Sequence, residues 1–258
     1  MGCYLPRLRR LLARMALSKS FAFHYHNLTP MKIAILGDIH ANLGALQVVL
    51  ADAESERVDE YLCVGDIVGF GEYPKECVQT VRDILECPCV RGNHDQLAST
   101  NSDLSSVRGA QNAEHARWTR EQLDAEDKVY LANLPLVLHV HDFTLVHATL
   151  DFPHTWAYVF DRLSAASSMS HQTTNICFFG HTHVPLAFIK EGSVRTEHGW
   201  QSLEIKPGCR YFINVGSVGQ PRDGNPKTGY VIYDSDAQRV FIKRLDYNAG
   251  PPPKGRMV

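Results

Sequence analysis

The sequence predicts an α/β protein with one main domain, in which two sheets pack face to face and helices lie outside them. Residues 31–99 alternate short apolar β-branched runs with amphipathic helical segments, a pattern typical of a sheet with a parallel core. Residues 135–245 are instead rich in strand-like runs separated by turn signals, with little helix beyond 158–170. No internal repeat interrupts this order.

The first half is predicted to alternate three strands with two helices. "MKIAILGD" starts at Met31 as a buried strand that ends in Gly-Asp, and "EYLCVGD" and "CPCVRGN" are the next two strand-like runs. "ANLGALQVVLADAE" is an amphipathic helix with Asn42 as its N-cap. "YPKECVQTVRDILE" is a second helix with Pro74 suited to its first turn.

The second half begins with helical residues 110–134, which are interrupted near Leu123. Asp124 stands three residues ahead of Asp127 and is predicted to cap the second helical piece. "LPLVLHVHDFTLVHAT" then predicts a hairpin that turns at His141 and Asp142. The remaining predicted strands are "NICFFGHTH", "PLAFIK", "RYFINVGS", "GYVIYD" and "RVFIKRL".

The composition is that of an ordinary globular protein. The 258 residues carry a formal charge of −2, so nothing suggests broad nucleic-acid binding. No apolar run approaches the roughly 20 residues needed to cross a bilayer. The seven cysteines are an odd, scattered set, and we expect reduced, mostly buried thiols in a cytoplasmic protein. The oligomeric state is left open.

The two ends differ from the domain predicted at 31–247. Residues 1–30 contain five basic residues and no acidic one, which predicts a disordered extension or an upstream start with Met31 as the functional beginning. The alternative is a short basic amphipathic helix that touches a membrane or a partner. Residues 248–258, with "GPPPKG", are predicted to be a loose tail.

Metal-ligand side chains recur where the predicted strands end. They are Asp38, His40, Asp66, Asn93, His94, Asp95, His147, His181 and His183. Residues i and i+2 of an extended segment point the same way, so Asp38 with His40, and His181 with His183, are expected to face one point if strand geometry persists. One histidine at a strand end is usually an ordinary polar group, but so many strand ends of one kind indicate a shared site.

The chemistry of these donors predicts a two-metal centre. Imidazole and carboxylate donors without thiolate suit Mn, Fe or Zn, and they are too many for one tetrahedral ion. Two divalent ions with two carboxylates and one hydroxide leave a net positive centre, which would attract a phosphate. Ions about 3.5–4 Å apart can clamp an in-line displacement at phosphorus.

The ordered set "GDIH", "GD", "GNHD", "H" and "GHTH" resembles the motifs of the calcineurin-like metallophosphoesterase superfamily over residues 31–245. The stretches "GDIHANLGAL", "GDIVGFGEYP" and "NVGSVGQPRDGNP" are most similar to its small bacterial and archaeal phosphoesterases. The resemblance implies a four-layer α/β/β/α sandwich of two mixed sheets with outer helices, and a centre of two divalent metal ions.

The resemblance also implies a role for each matching residue. Asp38, His40 and His183 would hold the first metal, Asp66 would bridge, and Asn93, His147 and His181 would complete the second. His94 would lie over the substrate and assist the leaving group while a metal-bridging hydroxide attacks phosphorus. Asp95 would accept a hydrogen bond from His94 and keep it oriented and cationic.

Some positions depart from the family pattern or extend it. Phe70 replaces the arginine of the "GDxVDRG" protein phosphatases, and Ala148 and Thr149 replace a common Gly-Ser-Pro after the ligand histidine. Three candidate substrate contacts follow, each with an ordinary structural alternative: Trp156 and Tyr158 either pack a loop or wall the cleft, and Arg222 either lies in a strand connection or binds phosphate.

The predicted function is therefore dinuclear metal-dependent hydrolysis of phosphate esters, as a phosphodiesterase or a phosphatase acting on a small phosphorylated substrate. The alternatives are a dinucleoside polyphosphate hydrolase and a non-catalytic scaffold of the same fold. A scaffold would be expected to have lost ligands, and none of the matching positions is degraded. The six other histidines between residues 115 and 198 are predicted to be non-ligands.

Overall fold

The structure is a computed structural model that describes residues 30–100, 104 and 110–247. The predicted tail 248–258 and nearly all of the predicted extension 1–30 lie outside these residues. No helix in the described ranges is both long enough and apolar enough to span a membrane. The six cysteines that the structure describes are all buried free thiols, as expected.

Eleven strands and six α-helices form the described part of the chain. The strands are β1 Lys32–Leu36, β2 Glu60–Cys63, β3 Val137–Val140, β4 Phe143–Val146, β5 Ile176–Phe179, β6 Ala187–Glu191, β7 Ser193–Glu197, β8 Ser202–Glu204, β9 Arg210–Asn214, β10 Thr228–Asp234 and β11 Arg239–Leu245. The helices are α1 Leu43–Ser55, α2 Pro74–Gln79, α3 Asn93–Ser99, α4 Ala110–Gln122, α5 Ala125–Asn133 and α6 Arg162–Ser170.

The strands form two mixed sheets. The five-stranded sheet has the order β2-β1-β10-β11-β8, in which only β1 and β2 are parallel. The six-stranded sheet has the order β3-β4-β5-β9-β6-β7, with a parallel centre of β4, β5 and β9. The parallel strands β1 and β2 therefore end at one edge of the first sheet, and β4 and β5 end at one edge of the second.

Three apolar clusters give the four layers. One cluster joins the two sheets, since Ile33 and Ile35 of β1 pack there with residues such as Phe178 of β5. Because side chains alternate along a strand, the neighbouring Ala34 and Leu36 face outward and pack with α1. Outward residues of the six-stranded sheet pack with α6 in the same way. The helix/sheet/sheet/helix order predicted from the resemblance is thus confirmed.

Local signals in the sequence place most helix ends correctly. Asn42 accepts a hydrogen bond from the Ala45 amide at 3.1 Å, and Asp124 accepts one from the Asp127 amide at 3.0 Å, so both predicted N-caps are formed. The second predicted helix is shorter as an α-helix, because its end, Thr80–Ile84, winds into a π-helical turn.

The predicted third strand is absent. "CPCVRGN" contributes only an isolated parallel bridge between Cys63 and Cys89, and α3 starts at Asn93. Pro88 has no amide hydrogen to donate to a ladder, and the run between Leu85 and α3 is too short to extend the pairing beyond one residue. The run still delivers Asn93 beside the end of β2.

Candidate metal centre

The polar residues that follow β1, β2, β4 and β5 meet at one end of the two packed sheets. Their ligand atoms form three overlapping groups, each with atoms within 4.8 Å of one another. The groups are Asp38 with His40 and His183, His40 with Asp66 and His94, and Asp66 with His147 and His181. All of these side chains are buried except His94, which is partly exposed. The other histidines lie outside these groups, among the residues that the structure describes.

Left-handed backbone, rather than strand alternation, turns the ligands toward one another. β1 ends at Leu36 and β5 ends at Phe179, so neither predicted pair lies on a strand. Five of the ligands instead have φ between 49° and 68°: Asp38, His40, Asp66, His181 and His183. This conformation is uncommon for residues with a Cβ and is concentrated at functional sites. The expectation that the pairs converge was correct, but its geometric reason was wrong.

Two glycines let backbone approach the carboxylates closely. A Cβ on Gly92 would lie 2.1 Å from Asp66 Oδ1, and one on Gly180 would lie 2.4 Å from Asp38 Oδ2. The glycine before Asn93 therefore makes room for Asp66, and the glycine before His181 makes room for Asp38. A side chain at either position would displace a carboxylate from the centre.

Asp66 lies between the two sets of imidazoles. Its Oδ2 is 3.7 Å from His40 Nε2 and 3.3 Å from His147 Nε2, while its Oδ1 accepts a hydrogen bond from the His94 amide at 2.8 Å. One carboxylate oxygen is thus available to both donor sets, as expected of a bridging ligand. The Asp38 carboxylate is 3.2 Å from His183 Nε2.

The imidazoles of the first set are oriented by backbone carbonyls. His40 Nδ1 lies 3.2 Å from the Val68 carbonyl and His183 Nδ1 lies 2.6 Å from the Gln220 carbonyl, so each Nδ1–H donates there. In neutral rings this leaves unprotonated Nε2 atoms, and these two atoms lie 3.0 Å apart. Two lone pairs at that separation repel unless a cation lies near them. The donor set therefore fits a metal ion.

The second set has the same construction around His147. Its Nδ1–H donates to the Val64 carbonyl at 2.8 Å, and its Nε2 faces Asn93 Oδ1 at 3.2 Å as well as Asp66. Burial lowers the pKa of His147, but the charge and hydrogen bond of Asp66 outweigh it and raise the pKa to about 10. Oxygen acceptors around one imidazole nitrogen favour a cation, either a proton or a metal ion that displaces it.

His181 presents the opposite ring nitrogen. Its Nε2–H donates to the Trp156 carbonyl at 2.9 Å, which leaves Nδ1 for the centre. Burial, with the charge of His147, lowers the pKa of His181 to about 4. Tyr158 stacks on the His181 ring with centroids 4.2 Å apart. A neutral, oriented imidazole is the form that binds metals.

Both buried carboxyl groups are held in their ionised form. Burial raises the pKa of Asp66, but the nearby imidazoles, His147 first among them, bring it well below its ordinary value. Burial likewise raises the pKa of Asp38, and the charge and hydrogen bond of His183 lower it overall. Two ionised carboxylates beneath imidazoles make this end of the sandwich a strong cation site.

The expected hydrogen bond from His94 to Asp95 is not formed. Asp95 is the third residue of α3, so its side chain turns back to the helix start and accepts from the amides of Asp66, Ile67, Val68 and Gly92 at 2.8–3.2 Å. Burial and the charge of Asp66 raise the pKa of Asp95 to about 7. Burial also lowers the pKa of His94. Asp95 therefore shapes the ligand loop and does not hold His94 cationic.

A cleft of about 300 Å³ opens above the donor groups. Its lining residues are Asp66, Phe70, Asn93, His94, Leu97, Asn112, Tyr158, His181, His183 and Arg222. Of the predicted substrate contacts, Tyr158 and Arg222 line the cleft, whereas Trp156 meets the edge of the His147 ring and serves His181 through its carbonyl. Leu97 and Asn112 were not predicted, because helices α3 and α4 bring them here without a motif.

Known proteins resemble this chain in both sequence and fold. The model of the calcineurin-like phosphoesterase superfamily domain matches residues 31–238. An uncharacterized protein of Methanocaldococcus jannaschii is 34% identical over 223 residues, which are 84% of this chain and 88% of that protein. The crystal structure of a metallophosphoesterase from Sphaerobacter thermophilus superposes with a TM-score of 0.76 at 40% identity, covering 85% of this chain and 90% of that one.

A symmetrical bis(5′-nucleosyl)-tetraphosphatase of Pasteurella multocida is more distant. It is 26% identical over 193 residues, which are 72% of this chain and 65% of that enzyme. The family match, the fold and the donor groups agree over the whole described domain. The chain therefore belongs to the calcineurin-like phosphoesterase superfamily, and it is a phosphoric ester hydrolase.

Proposed function

We propose that the chain hydrolyses phosphate mono- or diesters with two divalent ions. Asp38, His40 and His183 would hold one ion, and the other would be held by Asn93, His147 and His181, with Asp66 shared between them. The observation that carries this proposal is the position of Asp66 Oδ2, 3.7 Å from His40 Nε2 and 3.3 Å from His147 Nε2. Mixed imidazole and oxygen donors suit Mn, Fe or Zn.

When bound, such ions supply Lewis acidity and lower the pKa of water. The chain itself supplies His94, whose amide is fixed to Asp66 and whose ring packs against His40 and Phe70 with centroids 5.0 and 4.6 Å apart. From the cleft floor, His94 donates its ring N–H to the leaving-group oxygen. Positioned proton donors contribute about 10²–10⁴-fold to such rates.

Arg222 binds the unreactive oxygens of the phosphate. Its guanidinium lies over the Phe70 ring at 5.8 Å and donates to Gln220 at 2.7 Å, so it is held at the cleft mouth. It is the one lysine or arginine among the described residues that line the cleft. Phe70 replaces the arginine of the protein phosphatases, and Arg222 brings a cation to the same place from another loop.

Hydrolysis of dinucleoside polyphosphates is the second candidate. The similarity to the Pasteurella multocida tetraphosphatase supports it, and Arg222 at the cleft mouth suits a substrate with additional phosphates.

A substrate screen with the metal-reconstituted protein tests both candidates. The panel is p-nitrophenyl phosphate, bis-p-nitrophenyl phosphate, cyclic nucleotides and dinucleoside polyphosphates, each assayed with Mn, Fe and Zn. We expect metal-dependent turnover of at least one class and its loss on chelation. Turnover that persists in the fully chelated protein would contradict the proposal.

A further inference from the structure

The segment 152–163, beside the cleft, exposes an unusual amount of apolar surface. Six large hydrophobic side chains are exposed among the described residues, and four of them lie here: Phe152, Tyr158, Phe160 and Leu163. Tyr158 is 52% exposed and Phe160 is 53% exposed. Clustered apolar surface next to a polar cleft indicates a binding site.

Two of these rings form an ordered row with a candidate metal ligand. Tyr158 stacks on His181 with centroids 4.2 Å apart and planes at 22°, and Phe160 stacks on Tyr158 at 5.6 Å and 9°. The row leads outward from the centre in two steps, a span comparable with that between the phosphorus and the base of a nucleotide.

The row is fixed before any ligand arrives. Val159, between the two rings in sequence, is buried in the cluster beneath the six-stranded sheet. The chain is tied on one side by the His181 bond to the Trp156 carbonyl and on the other by Asp161, which caps α6. Rigid aromatic side chains offer a flat surface at a small cost in conformational entropy.

We propose that Tyr158 and Phe160 bind a planar aromatic group that the substrate carries next to its phosphate. This inference rests on the proposed function, because the row starts at His181 and the phosphate would lie over the donor groups. Arg222 and Phe70 line the same cleft and would face the anionic part of the substrate. The favoured substrates are thus nucleoside or aryl phosphate esters rather than sugar or alkyl phosphates.

Binding of uncleavable phosphonates tests the inference without relying on turnover. The probes are methylphosphonate, phenylphosphonate and the 5′-methylenephosphonate analogue of AMP, titrated calorimetrically into the metal-loaded full chain. Phe160→Leu removes the outer ring but keeps an apolar side chain. Phe152→Leu is the matched control, since Phe152 is exposed on the same segment but lies outside the row.

We expect Phe160→Leu to weaken binding of a ring-bearing probe about tenfold and to leave methylphosphonate unchanged. Loss with both ring-bearing probes supports any aryl group, and loss with the AMP analogue alone supports a nucleoside. Phe152→Leu should change none of the three. Equal affinity of the three probes for the unaltered protein, or equal binding by Phe160→Leu, would overturn the inference.

Two further readouts distinguish a substrate site from a dimer contact and from a site without hydrolysis. If Phe160→Leu converts a dimer to a monomer in light scattering without changing probe affinity, the rings serve a second copy and the inference fails. If no ester is hydrolysed but phenylphosphonate still binds through Phe160, the aromatic site stands and the proposed function fails.

Discussion

The two sheets contribute different chemistry to the same centre. The five-stranded sheet provides both carboxylates, which follow β1 and β2, together with His40. The six-stranded sheet provides no carboxylate and three imidazoles, which follow β4 and β5: His147, His181 and His183. Neither sheet alone carries a balanced set of donors, so the centre exists only where the two sheets pack together.

Contacts between the sheets are also what hold the carboxylates. The His181 amide, from the six-stranded sheet, donates to Asp38 Oδ2 at 2.9 Å, and His147 Nε2 faces Asp66 at 3.3 Å. Beyond the opposite ends of the strands, His141 of the β3–β4 turn meets Glu60 of β2 at 2.6 Å. Sheet packing is therefore a functional requirement at one end and a modest stabilising contact at the other.

The largest expected effect comes from the shared carboxylate. Asp66→Asn should remove one metal equivalent and lower turnover about a thousandfold, because the bridging charge supports several kcal/mol of transition-state stabilisation. Metal content by mass spectrometry and initial rates measure the two effects. Asp236→Asn, an exposed carboxylate in the β10–β11 turn, is the matched control. Full activity with full metal content would remove Asp66 from the site.

The next effect separates a ligand from a proton donor. His94→Asn should keep both metals and slow turnover about a hundredfold, since only the donor to the leaving oxygen is lost. His171→Asn, at the exposed end of α6, serves as control. His94 also lies within ligand distance of His40 and Asp66, so metal loss in this variant would make it a ligand instead.

A smaller effect is expected where one sheet's loop packs on the other sheet's carboxylate. Gly180→Ala would place a Cβ 2.4 Å from Asp38 Oδ2, and we expect metal affinity to fall about tenfold as the carboxylate shifts. Gly44→Ala is the control, because its Cβ would meet nothing closer than 3.8 Å. Unchanged metal affinity in Gly180→Ala would show that the close approach has no role.

The smallest effect is at the far end of the sandwich. The hydrogen bond to Glu60 raises the pKa of His141, so this pair stabilises the fold at low pH and the contribution is lost as pH rises through that raised pKa. Glu60→Gln should lower the free energy of unfolding by less than about 1 kcal/mol at about pH 6, since both groups are partly exposed. Denaturant curves at about pH 9 should not distinguish the two proteins; a larger loss there would contradict this pH dependence.

Much of this arrangement could be predicted from residue order. The Gly-Asp endings of β1 and β2 and the histidines after β4 and β5 are local signals, and parallel neighbours bring them to one edge. The left-handed turns at Asp38 and His181 could not be predicted, because non-glycine residues rarely adopt them. Long-range packing decided the rest: Asp95 binds backbone amides rather than His94, and Phe160 joins a row that no motif announces.

The left-handed ligands have a consequence for how much protein a cell contains. Each such residue costs of order 1–3 kcal/mol, and five of them together approach the whole net stability of an ordinary domain. Ions that bind only the folded chain would offset that strain by mass action. Trace-metal supply during growth should therefore govern the yield and proteolytic lifetime of this protein as well as its catalytic rate.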